Sequence, residues 1–275
     1  MLYDAFTYFN EIDLLRVRMV EHAPFVDRFV VVEGSHRFTG AEKESFLDLA
    51  DPRVREFRDR IVTVRVPLNT VPKSAWENEV AQRNAILTAV EYADDDAILV
   101  SDVDELVSRH HWPALLAELA TSDLVTVRMC SMYYFLNLLT PEVFNRQKLV
   151  RVRETRRSGR TAHELRMADT EVPRTVHGWH FSFLGDIRFI QNKLNSFAHQ
   201  EYNTAAINSP HHIARALASG EDLFGRFGRF TWVRVTDRWP TEMRANPFWR
   251  KYVARAPTVK DWVAGRIGGR VRRLP

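Results

Sequence analysis

A single cysteine, Cys130, among 275 residues excludes an intrachain disulfide, and its apolar neighbours mark it as packing rather than as a nucleophile. A reducing compartment is the expectation. No stretch reaches the roughly 18 to 20 apolar residues that span a bilayer, and the opening Met1-Leu2-Tyr3-Asp4 has neither a basic region nor a long apolar core. The expectation is a soluble, cytoplasmic protein. Also missing are G-x-G-x-x-G and G-x-x-x-x-G-K-[ST], so neither a classical dinucleotide fold nor a P-loop ATPase is supported. No zinc finger, paired RNP motif or recognition helix accompanies the arginines, which argues against nucleic-acid binding. Internal repeats and low-complexity linkers are absent too.

The 45% hydrophobic content is ample for a packed interior. Short strands are expected at residues 2–9, Phe29–Val32, Ile61–Val64, Ala97–Val100 and Leu124–Met129, with helices at Glu11–Glu21, Trp76–Tyr92 and Trp112–Ala120. Strands separated by helices through the first hundred residues argue an α/β fold with a doubly wound, mostly parallel central sheet and flanking helices. The net charge of +4 is modest, but arginines cluster in Arg151–Arg166 and again at Arg266, Arg270, Arg272 and Arg273. Such clusters suit an anionic lipid surface, a phosphorylated substrate or simple solubility. In the C-terminal segment, Trp262, Val263, Ile267 and Val271 could form an apolar stripe for peripheral contact with an anionic membrane, or a solvated tail.

The most informative stretch is Ser101-Asp102-Val103-Asp104-Glu105, because it places carboxylates directly after the apolar run Ala97–Val100. Open α/β sheets bind ligands at that strand end. Asp102 and Asp104 share a face if extended, and converge on one cation in a tight turn. Hard oxygen ligands suit Mg²⁺ or Mn²⁺, and such an ion neutralises a nucleotide diphosphate leaving group. A solvated turn is the plain alternative.

Other polar residues gather around this motif. His180, between Trp179 and Phe181, projects opposite the two aromatic rings in an extended chain and is a candidate third metal ligand or a core histidine. Arg83, between Gln82 and Asn84, can reach a diphosphate bidentately or form a surface ion pair. Glu33, before Gly34 and Ser35, can accept hydrogen bonds from a base or ribose, or cap the turn. Trp76 can stack on a sugar or join the core. An inverting displacement also needs a base for the acceptor hydroxyl. Glu201 is the leading candidate and Asp186 its nearest rival, with His199 and Glu164 open.

Taken in order, Phe9-Asn10-Glu11-Ile12-Asp13-Leu14-Leu15, Glu33-Gly34-Ser35 with Phe38 and Gly40, Gln82-Arg83-Asn84, Ser101–Glu105, and Gly178-Trp179-His180-Phe181-Ser182 with Lys193 resemble glycosyltransferase family 17 over most of residues 1 to 250. The resemblance implies a GT-A-like nucleotide-sugar fold, a UDP-sugar donor, with UDP-N-acetylglucosamine the one expected, and transfer with inversion. It matches Asp102 and Asp104 to a metal-and-donor motif and His180 to the family's Gly-Trp-His position. The family's animal enzyme has a membrane anchor and cysteine-bearing surroundings that this chain lacks. A bacterial-type enzyme acting on a saccharide or lipid-linked acceptor is therefore expected, with residues 1–250 as one catalytic domain and 251–275 as a basic extension. A metal-dependent nucleotidyltransferase or phosphohydrolase, and a non-catalytic sugar- or lipid-binding protein, are the competing classes.

Overall fold

The computed structural model describes residues 1–254, whose nine strands form one sheet. The strands are β1 (Leu2–Tyr8), β2 (Arg28–Gly34), β3 (Ile61–Val66), β4 (Ala97–Asp102), β5 (Glu105–Val107), β6 (Leu124–Tyr133), β7 (Leu138–Arg151), β8 (Gly178–Ser182) and β9 (Thr231–Trp232). The helices are α1 (Ile12–His22), α2 (Ala75–Asn84), α3 (Trp112–Leu119), α4 (Val152–Ser158), α5 (Ala162–Met167), α6 (Ile187–Leu194), α7 (Pro210–Ser219) and α8 (Thr241–Ala245). Residues 255–275, including the apolar and arginine-rich C-terminal segment, lie outside the described residues.

The sheet runs β3-β2-β1-β4-β7-β6-β8-β5, with β9 on β7. Its first four strands are parallel, and β1 is buried throughout because both faces of the sheet are covered. Side chains alternate between two apolar layers. Leu99 packs with Phe6, Leu15, Phe29 and Trp112. Ile98 and Val100 point the other way, to Val30, Ile86, Val150 and Leu165.

The expected GT-A-like, mostly parallel sheet is overturned beyond β4. There β7 runs antiparallel to β4, β6 and β9, and β5 antiparallel to β8, leaving β6 with β8 as the only parallel pair on that side among the described residues. The cause is local. Only Tyr134–Asn137 separate β6 from β7, and a connection that short closes a hairpin, whereas a parallel pair needs a long crossover. A second short link bends the sheet. β4 and β5 are joined through Val103 and Asp104 alone, so their ends lie within about 11 Å, yet β7, β6 and β8 stand between them in sheet order. The sheet must therefore curl toward a half-barrel.

Several elements match the sequence reading, while the helix expected to Tyr92 ends at Asn84 and continues as a 3₁₀ turn over Ala85–Thr88. Cys130 is buried and donates to the Gly178 carbonyl. Burial pushes its thiol up to about 12. The arginine-rich segment is tied down by acids: Arg153 pairs with Asp95 and Asp123, Arg156 with Asp94, and Arg157 with Glu154. No helix of the described residues is long and apolar enough to cross a membrane.

Candidate functional site

A cavity of about 590 Å³ opens at the carboxyl ends of β1, β2 and β4, bordered there by Thr7, Gly34 and Asp102. Gly34 is required by crowding: a Cβ there would collide with Leu68 and press on Gln82 and the His36 carbonyl, each at 3.0 Å. Gln82 locks the same corner by donating to the Val32 carbonyl at 2.8 Å and to that of Tyr8 at 3.3 Å.

The acidic loop forms the cavity floor, and each of its carboxylates is paired with a cation, Arg166 serving two of them. Asp102 accepts from Arg83 through both oxygens at 3.2 and 3.1 Å, from Arg166 at 3.0 Å and from the Thr7 hydroxyl at 2.7 Å. Burial works against its charge, but the two guanidiniums win and hold the carboxyl far below the ordinary range. Asp104 accepts from Lys193 at 2.9 Å, with His180 Nε2 3.9 Å from its other oxygen. Its acidity is also strengthened against burial, by Lys193 and then His180. Glu105 is fully buried and takes two bonds from Arg166, at 2.6 and 2.5 Å. Burial outweighs that pairing and raises its pKa.

Beneath the floor, α1 supplies a fully buried Arg18. Its guanidinium donates to the carbonyls of Asp102 at 2.9 Å and Glu105 at 2.6 Å and to the Ser101 hydroxyl at 2.5 Å, while Asp4 neutralises it. Asp4 also holds His22 at 2.7 Å, whose other ring nitrogen accepts from the Val107 amide at 2.9 Å. One buried network thus fixes the backbone on both sides of the acidic loop.

Strand β8 delivers His180 to the cavity by the expected alternation: Trp179 and Phe181 enter the core, and His180 faces the opening. Its ring packs on Phe144 at 4.1 Å between centroids and its Nδ1 lies 3.2 Å from the Ser131 hydroxyl. Gly178 permits this, since a Cβ there would collide with the Leu106 carbonyl of β5.

Aromatic rings also line the cavity. Trp76 meets His199 edge-on at 4.5 Å, His199 lies 5.8 Å from Tyr202, and Tyr202 lies 4.6 Å from Phe224. Arg226 covers Phe224 at 4.8 Å and donates to the Tyr133 hydroxyl at 3.0 Å.

Of the residues singled out from sequence, Arg83, Asp102, Asp104, His180 and Trp76 converge on this cavity. Glu33, Asp186 and Glu201 are not among its lining residues. Glu33 is buried and bound by Lys43 at 2.7 Å and the Leu47 amide at 3.2 Å, anchoring the loop after β2. Asp186 caps α6 by accepting from the Phe189 amide at 2.9 Å. Glu201 holds His199 at 2.6 Å and thereby steadies the aromatic wall. Glu164 closes the capping box of α5 with Thr161. Sequence reasoning placed Arg166 in a basic cluster but missed that it reaches the acids from α5, and it missed the cavity face of β7, where Glu142, Phe144 and Arg146 alternate. That period-2 spacing was visible, but its interruption by Asn145 and Gln147 reads equally as loop.

The three-residue metal shell expected from Asp102, Asp104 and His180 is not assembled. Among the described residues no group of three or more His, Cys, Asp or Glu is arranged to hold an ion, and Asp102 is saturated by arginines and Thr7. Asp104 and His180 are the remaining oxygen and imidazole donors of the expected trio, 3.9 Å apart, and Asp104 is bonded by Lys193 at 2.9 Å.

No curated protein matches the chain. Among solved structures, residues 1–349 of S. aureus TarS align at 13% identity and a TM-score of 0.39, over 79% of this chain and 69% of that one. A 4-diphosphocytidyl-2C-methyl-D-erythritol synthase aligns at 15% identity and 0.37, over 68% and 90%. The galactosyltransferase LgtC with donor and acceptor sugar analogs aligns at 17% and 0.33, over 57% and 59%. The model of Glycosyltransferase family 17 matches residues 1–244, which takes in every strand of the sheet and every cavity residue described above, so the chain belongs to that family and is a glycosyltransferase.

Proposed function

We propose that residues 1–250 act as one catalytic unit that transfers N-acetylglucosamine from UDP-N-acetylglucosamine, with inversion, to the hydroxyl of a saccharide or glycolipid. The observation that carries this reading is that one cavity brings together two sets of groups, the cations Arg83, Arg166, Lys193 and Arg146 and the aromatic rings Trp76, Tyr202 and Phe224. A sugar diphosphate needs the first for its phosphates, and a saccharide needs the second for the apolar faces of its rings. The choice of uridine and of N-acetylglucosamine comes from the family resemblance.

Asp104 and His180 would hold a Mn²⁺ or Mg²⁺ ion beside the diphosphate. When bound, that ion would offset charge building on the leaving phosphate. The chain's own residues do the rest. Arg83 and Arg166 keep Asp102 ionised and fixed against the donor, and Lys193 places a cation where the diphosphate departs.

A thermal-shift screen of nucleotide sugars with and without Mn²⁺, followed by mass analysis with saccharide and lipid-linked acceptors, tests the proposal. Selective stabilisation by UDP-sugars and a new glycoside are expected. Turnover with a GDP- or CMP-sugar alone would replace the donor, and pyrophosphate exchange without glycoside would point to nucleotidyl transfer. Asp104→Asn should weaken Mn²⁺-dependent UDP binding and lower transfer by roughly 100-fold or more with the fold intact. Unchanged calorimetric binding in that variant would remove Asp104 from the donor site.

A further inference from the structure

The cavity is lined by six carboxylates, and five of them are already committed. Asp102, Asp104 and Glu105 are held by Arg83, Arg166 and Lys193. Glu79 is paired with Arg83 at 2.8 Å. Glu11 accepts from the backbone amides of Phe9 and Asn10 at 3.2 and 3.1 Å. Among the described residues, the Glu142 side chain alone in this set has neither an ion pair nor a hydrogen bond, and it is only half-buried.

Its position is as informative as its freedom. Glu142 shares the cavity face of β7 with Phe144, the ring against which His180 packs. Glu142 lies two residues before Phe144, in the stretch of β7 where the pairing with β6 is irregular. The charge of Glu142 also acts on the Tyr133 hydroxyl, to which Arg226 donates at 3.0 Å while it covers Phe224. A half-buried carboxylate of the cavity lining that no cation holds is available to an acceptor hydroxyl.

We infer that Glu142 is the catalytic base, a role that rests on the inverting-transfer reading above. Its carboxylate accepts the proton of the acceptor hydroxyl. The freed oxygen forms the bond to the anomeric carbon as the bond from that carbon to the phosphate oxygen breaks, and the nucleoside diphosphate leaves with the electron pair. The proton then passes from Glu142 to solvent, to which its side chain is open. In the other five the side chain is already engaged, Asp102, Asp104, Glu105 and Glu79 by arginine or lysine and Glu11 by two backbone amides, which leaves Glu142 as the carboxylate of the set open to an acceptor hydroxyl.

The test compares wild type with Glu142→Gln and Glu142→Ala, using whichever nucleotide sugar the wild type turns over. A different donor would thus revise the donor reading and leave this comparison intact. Turnover should drop by roughly two orders of magnitude or more, the scale of a lost general base, while nucleotide affinity by calorimetry and the thermal midpoint stay unchanged. Azide attacks without surrendering a proton, so it should restore nucleotide release in Glu142→Ala and form the glycosyl azide. Glu142→Gln turning over within about fivefold of wild type would overturn the assignment, since a lost base costs far more. So would nucleotide affinity falling in step with turnover, or a lack of azide rescue, either of which would make Glu142 a structural residue.

Discussion

Arg166 is the residue on which the acidic floor depends most, since it neutralises Glu105 and Asp102 together while itself 5% exposed. Arg166→Met would leave Glu105 buried without its cation, and removing one partner of a buried pair costs about 3–5 kcal/mol. Glu105 already ionises less readily than a free carboxyl because of its burial. Without Arg166 its folded-state pKa rises further above the unfolded value, so the penalty is full above the folded pKa. The stability deficit should therefore be largest at neutral pH and narrow as acid protonates Glu105, which urea titrations at pH 7 and pH 5 would show. Lys148 gives the opposite sign on the basic side. Burial first, then Arg146 and Arg166, hold its ammonium down to about 8. Between pH 8 and its ordinary value near 10.5 the folded state has shed a proton that the unfolded chain keeps. Stability should rise across that window by roughly 3 kcal/mol relative to Lys148→Met. Denaturation midpoints that run parallel for the two proteins would refute it.

Among the elements, the strand pair β5 and β8 has the tightest steric requirement, because β8 can approach only where Gly178 leaves the Leu106 carbonyl room. Gly178→Ala must push the strands apart and shift His180, which stands opposite Glu105 in the register. Turnover should fall by roughly tenfold or more, as a small misplacement of a site residue does, with a smaller loss of stability. Unaltered kinetics would mean that β8 tolerates the displacement. Gly178 and His180 were legible in the sequence as parts of one motif, and so was the alternation that turns His180 from its aromatic neighbours. Strand β5 was not, since three residues directly after an acidic turn carry no periodicity. The 14 residues of β7 were hidden for another reason: Pro141, Asn145, Arg146 and Gln147 interrupt any apolar pattern in a strand that borders a wet cavity. Glu142 was lost with it.

At the scale of the whole molecule, the first four strands followed from buried apolar runs, and the cavity end of the sheet followed from the acids that terminate one of them. The mixed character did not, because strand direction depends on which distant segments pair, and only the four-residue connection from β6 to β7 betrays it. The carboxylates Glu201, Asp186 and Glu33 show the same limit. Each was chemically eligible, and each is engaged where the chain needs a cap, a ring support or a loop anchor.

The two-residue link between β4 and β5 has a consequence in time as well as in space. It ties the middle of the sheet to its far edge, so the acidic loop reaches its native shape only after β7, β6 and β8 have filled the interval. Those pairings join segments remote in sequence, and such contacts form slowly. Competence to bind nucleotide should therefore be the last property recovered on refolding, trailing the return of helical circular dichroism. It should also be the first lost in mild denaturant, with the amides of Leu106 and Val107 exchanging ahead of those in β1. Nucleotide binding that returned together with the helical signal would show that the loop forms without the closed sheet.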